Sequence, residues 1–273
     1  MREQVASSAK KAWLLPLWLT VGAAALGAAG WMVLSGAPQG EPVRVPTAQR
    51  SSDTAVSKGQ LQNSTRDVRS LPPAERLRLA FATVFGKAAS ATRTIDGETL
   101  TYTPAALEWI GDKAALLSFG KNAQDCHVCF GTISIHYLTL KGDRFAVGGA
   151  WPTAIRGIAW GQATGGLSVN RNFSTHPVVA SQFGDMNQGC AHGGVSLTEL
   201  RPEGPTHWAD VLTSHTNPVG EDQATEVEGV ISDIQKDRSF KVVYKGDDSF
   251  TETYVRRGSK FVLTAKETRT PVC

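Results

Sequence analysis

Residues 13–34 contain no charged side chain, and this constrains the chain more than any other feature of its sequence. Trp13-Leu14-Leu15 and Leu17-Trp18-Leu19 lead into an Ala/Gly-rich half that ends in Trp31-Met32-Val33-Leu34. As a helix these 22 residues span roughly 33 Å, enough to cross a hydrocarbon core of about 30 Å. Arg2, Lys10 and Lys11 precede the run. The positive-inside bias therefore predicts a cytoplasmic tail over residues 1–12, a transmembrane anchor over 13–34, and everything beyond on the far side. A cleaved signal peptide is the competing reading, because Gly27-Ala28-Ala29 is a small-residue site behind an apolar stretch. The apolar run continues through Leu34, which favours the uncleaved anchor. Either way the rest of the chain is exported. The expected location is a cell membrane, crossed once, with the C-terminal domain periplasmic or extracellular.

Residues 35–70 read as a flexible linker. They are rich in Ser, Thr, Gln, Pro, Gly and Arg, with Val43, Val45, Val56, Leu61 and Val68 scattered among them. So little apolar surface does not offset the entropy of ordering the segment. The tail and linker also carry the basic charge: residues 1–70 have a net charge of +4 and residues 71–273 a net charge of −1. The remaining domain lacks the basic excess of a nucleic-acid-binding surface, so no nucleic-acid partner is expected.

The exported domain, residues 71–273, reads as mainly β. Pro72-Pro73 open a helix in which Leu77, Phe81, Phe85 and Ala88 recur on one face. Strands are predicted over 114–119, 132–140, 144–150, 178–183, 195–200, 208–214, 227–234, 240–244, 250–255 and 260–265. Phe240, Val242 and Tyr244 alternate with Lys241, Val243 and Lys245, as in a strand with one dry face. Turns such as Lys245-Gly246-Asp247-Asp248 are short, and no βαβ alternation is present. The expected fold is an antiparallel sandwich or a curved open barrel with one packed N-terminal helix. Residues 142–194, glycine-rich with Trp151, Trp160 and Phe173, are expected to be ordered but irregular.

Four cysteines, Cys126, Cys129, Cys190 and Cys273, suit disulfides in an exported domain. The preferred connectivity is Cys126–Cys129 with Cys190–Cys273. The run Asp125-Cys126-His127-Val128-Cys129 is the sharpest local feature. A c-type haem attachment needs His where Phe130 stands. A thioredoxin-like pair needs a helix N-terminus, whereas this one lies between predicted strands. No cofactor is required by any motif. Zinc is the one the ligand types would suit, held by Cys126, Cys129, Cys190 and His192. Cys190-Ala191-His192-Gly193-Gly194 has the residue types of a nucleophile beside a glycine loop, without a partner at usable spacing. Asp185-Met186-Asn187-Gln188-Gly189 is a fragment of a calcium loop without its distal Glu. There is no Gly-x-Ser-x-Gly elbow and no phosphate loop.

Two functional classes follow. The first is a binding or assembly module of the cell envelope, whose partner is an envelope protein or a glycan. Tyr137, Trp151, Trp160, Phe173 and Trp208 are its candidate contact residues, with an exposed patch expected near Trp151 and Trp160. The second is a thiol- or zinc-dependent enzyme centred on Cys126, Cys129, Cys190 and His192. The lack of catalytic signatures favours the first.

Overall fold

The predicted helix starts where the proline pair places it. In the computed structural model, α1 (Pro73–Phe85) carries Pro at its first position and stops at the left-handed Gly86. Phe81 and Phe85 are buried and stack at 4.5 Å between ring centroids. The structure describes residues 67–270, apart from residues 88, 188 and 218–224 and the side chains of Asn187 and Thr225. The predicted tail, the anchor over 13–34, nearly all of the linker, Ala88 and Cys273 lie outside the described residues. Among the described residues no helix is long and apolar enough to cross a membrane.

The end of the expected linker is anchored to the domain. Val68 is fully buried in the core beneath α1. Asp67 accepts a hydrogen bond from the Arg69 amide at 2.9 Å, and Arg69 lies over the Trp109 ring at 4.2 Å while donating to the Gly111 carbonyl. Val68 looked isolated in a polar segment because its contacts are distant in sequence.

Two antiparallel sheets follow. The first is β1 (Ala91–Ile95), β2 (Glu98–Ile110), β3 (Lys113–Asn122), β4 (Thr132–Lys141) and β5 (Arg144–Arg156), side by side in chain order. The second, also in chain order, is β6 (Leu167–Asn170), β7 (Val178–Asn187), β8 (Cys190–Arg201), β9 (Gly204–Asn217), β10 (Thr225–Gln235), β11 (Ser239–Gly246), β12 (Phe250–Arg257) and β13 (Lys260–Leu263). The second sheet curls into a half-barrel that brings β13 back towards β9.

The middle of the first sheet is dry on both sides. Ala114, Leu116 and Leu138 face α1, and Ala115, Leu117, Ile133, Ile135 and Tyr137 face Val179 and Leu200 of the second sheet. This is why β3 carries the unbroken apolar run Ala114-Ala115-Leu116-Leu117, whereas β11 alternates: Phe240, Val242 and Tyr244 fill the half-barrel, and Lys241 and Lys245 are exposed.

The expectation of irregular chain over residues 142–194 is corrected. β5 runs on to Arg156, β6 and β7 lie within the region, and β8 begins at Cys190. Its glycines read as breakers, yet Gly184 pairs with Gly193 inside a regular ladder. β1 and β2 were not expected either. β1 is mostly exposed Thr and Arg, and β2 contains Pro104, tolerated where a register shift between Pro104 and Ala106 interrupts the ladder. Between them Asp96-Gly97, with φ of 51° and 86°, supplies a tight hairpin turn.

Candidate functional site

The loop between β3 and β4 holds the Cys-x-x-Cys run. Cys126 and Cys129 form a disulfide, and the Cys129 amide donates to the Cys126 carbonyl at 3.0 Å. A second loop, residues 157–166, lies against it. Trp160 N–H donates to the Cys126 carbonyl at 3.2 Å, and Gly161 N–H donates to the Cys129 carbonyl at 2.7 Å. Gly131 allows this approach, because a Cβ there would sit 2.3 Å from the Gln162 carbonyl carbon. Gly131→Ala is expected to lower stability by about 2 kcal/mol, as for overpacking generally. A urea midpoint identical to that of the parent chain would mean that the two loops are not packed this way.

Trp160 has φ of 60°, a left-handed conformation unfavourable for a bulky side chain. Its indole is 45% exposed, and His127 meets it edge-on at 5.5 Å. His127 also reaches the tip of the β7–β8 hairpin. Its Nε2 contacts the Met186 carbonyl oxygen and lies 3.6 Å from the Asp185 carboxylate. Val128 and Met186, 75% and 47% exposed, therefore flank the same histidine.

A cavity of about 360 Å³ opens beside this loop, between the end of β5 and the outer face of β7–β9. Arg156 and Phe130 form one wall, the guanidinium lying over the Phe130 ring at 3.5 Å. The opposite wall follows from strand alternation. His192, Gly194 and Ser196 share one face of β8, with Asp185 and Phe183 opposite the first two on β7 and Asp210 opposite Ser196 on β9. A register shift between Leu197 and Thr198 brings His207 to the same face, 3.6 Å from Asp210. Gly194 makes the floor passable, since a Cβ there would fall 2.4 Å from the Phe183 ring and from the Val211 carbonyl. Ser196, His207 and Asp210 have the residue types of a hydrolytic triad. No hydrogen bond joins Ser196 to either of the others, so no relay is assembled.

A second polar cluster lies deeper, where β8, β12 and the β10–β11 turn meet. Glu199, 1% exposed, accepts from Ser174 Oγ and from Arg201 Nε, each at 2.5 Å, and lies 3.8 Å from Arg256. Arg256 also pairs with Asp237, which accepts from Thr175 at 3.2 Å and lies 2.9 Å from Ser174 Oγ, so that the two carboxylates share the one Ser174 proton. Burial opposes charge on Asp237, but the Ser174 and Thr175 hydroxyls and the Arg256 charge outweigh it and hold its carboxyl below the usual range. Every charge here has a partner, as expected of a cross-link holding the half-barrel together.

The sequence-predicted residues scatter. Phe173 and Trp208 are in the half-barrel core, while Tyr137 and Trp151 pack edge to face at 5.1 Å between the sheets. Burial, reinforced by the nearby Glu203 and Glu199 carboxylates, pushes the Tyr137 phenol up. Trp151 is half-buried, and Trp160 is the member of the set that is exposed. Cys190 is disulfide-bonded, and the one other cysteine in the sequence, Cys273, lies outside the described residues. Cys126, Cys129 and Cys190 thus present no thiolate in this state, and His192 faces the cavity. Among the described residues no group of three or more His, Cys, Asp or Glu side chains could hold a metal ion. Arg156, Asp185, Ser196, His207 and Asp210 were not anticipated as a set. The traces available for them were period-two spacing from His192 to Ser196 and the short step from His207 to Asp210. Comparison with protein-family models, with characterised proteins and with solved structures finds no match to this chain.

Proposed function

We propose that this chain is a binding or assembly module of the cell envelope, exported and tethered through residues 13–34, that engages a protein partner through the surface around Trp160. The observation that carries this reading is the state of Trp160 itself. A left-handed conformation costs a bulky residue roughly 1–3 kcal/mol, and an indole left 45% exposed recovers only part of its burial energy in the free protein. Strain held in this way points to a contact made elsewhere. Single exposed apolar residues are ordinary, but Val128, Trp160 and Met186 surround one histidine beside a disulfide-closed loop. Val128 and Met186 offer no hydrogen bonds to sugar hydroxyls, which favours a protein partner over a glycan.

A photo-crosslinking residue placed at position 160 in the native host is expected to trap one discrete partner on the outer side of the membrane. The same residue in place of Val230, which is 67% exposed on β10, is the control. Equal trapping at both positions, or none at 160, would count against the proposal.

A further inference from the structure

We infer that the cleft between β5 and β7–β9 binds a zwitterionic ligand of amino-acid or short-peptide size, with its carboxylate on Arg156 and its ammonium on Asp210. Charge is the first argument. Arg156 has neither an ion pair nor a side-chain hydrogen bond among the described residues, and its guanidinium lies over the Phe130 ring. A planar fork placed over a ring, with its N–H groups unpaired, matches a carboxylate. Asp185 and Asp210 stand on the opposite wall of the same cavity, beyond ion-pairing distance of Arg156. Opposite charges therefore face one gap without neutralising each other. A simple anion would meet the two aspartates, and a simple cation would meet the arginine. A dipolar molecule suits both walls.

Polar satisfaction and size point the same way. Ser196 is buried, lines the cavity and has no side-chain hydrogen-bond partner among the described residues, which leaves its hydroxyl for an occupant. A volume of about 360 Å³ is at the small end of ligand pockets. Phe183 and Ala154 supply apolar wall for a side chain. Arg156 and Asp210, the residues the assignment rests on, are not part of the Trp160 surface, so either proposal can fail without the other.

The test is saturation-transfer NMR on the full-length chain. Probes are the free α-amino acids and the dipeptide Ala-Ala, each compared with its N-acetylated and its C-amidated form. At least one free form is expected to bind. Capping either end should weaken binding by about tenfold or more, as should Arg156→Gln or Asp210→Asn, since each removes a charge-assisted hydrogen bond. Arg156→Lys should retain part of the affinity. Circular dichroism of each variant should match the parent, which separates lost binding from lost folding. The assignment is overturned if no free form gives a signal at about 10 mM, if capped and free forms bind alike, or if folded Arg156→Gln binds as the parent does.

Discussion

Arg256→Gln is expected to lower the stability of the domain by about 3 kcal/mol. The side chain joins two carboxylates, Asp237 directly and Glu199 at 3.8 Å. Removing it leaves the nearly inaccessible Glu199 with Arg201 as its one paired cation, and Asp237 with hydroxyl donors alone. The Ser174 hydroxyl has one proton and cannot donate to both carboxylates at once. The lower end of the range for broken buried pairs applies, because Asp237 is partly open to water. The loss should be largest near neutral pH and shrink on acidification as Asp237, whose carboxyl the cation helps to hold below the usual range, takes up a proton. Arg269→Gln is the matched control. It breaks a pair with Asp248 in which both partners are well exposed, worth about 0–1 kcal/mol. Urea denaturation of the two variants decides the matter: similar midpoints would mean that the deep cluster does not hold the half-barrel.

Acidification alone should produce a loss of similar size. His136 lies on β4 against Phe85 of α1, is 7% exposed, and has no hydrogen-bond partner for Nδ1 among the described residues. Burial pushes its imidazole down to about 4. The folded protein thus keeps His136 neutral across a window in which the unfolded chain, with an imidazole near 6.5, takes up a proton. Stability is full above about pH 6.5, falls as the pH drops towards about 4, and then levels off for this group, a loss of about 3 kcal/mol at 1.36 kcal/mol per unit. His136→Leu, close in volume, should remove most of the slope between these limits. A parent chain equally stable at pH 7 and pH 4.5, or a leucine variant with the slope intact, would refute the assignment.

Legibility in the sequence tracked locality. β11 could be read because its burial is one-sided, so Phe240, Val242 and Tyr244 stand out against lysines. The helix could be read because Pro73 and the Phe81/Phe85 spacing act within a few residues. The Cys126–Cys129 bridge belongs to this class, since both partners lie in one turn. β1 escaped because an exposed edge strand has no apolar period to detect. The cleft escaped for a different reason. Arg156 and Asp210 line one cavity through the packing of two sheets, and Ser196 meets Asp210, and His192 meets Asp185, through ladder registers that no local motif encodes. The aromatic set misled because large rings fill cores: Phe173 and Trp208 pack inside the half-barrel, Tyr137 is buried between the sheets, and Trp160, with its left-handed backbone, is the exposed member.

Within both sheets every strand lies beside its neighbour in sequence. Each new strand therefore finds its hydrogen-bonding partner in the segment made just before it, with no long loop to close first. Chains wired in this way assemble in the order in which they arrive. A domain delivered gradually from its N-terminal end, as through a membrane pore, could lay down α1 and the first sheet while the half-barrel was still to come. Few strand edges would then wait for a distant mate, and the interval of greatest exposure to aggregation would be short.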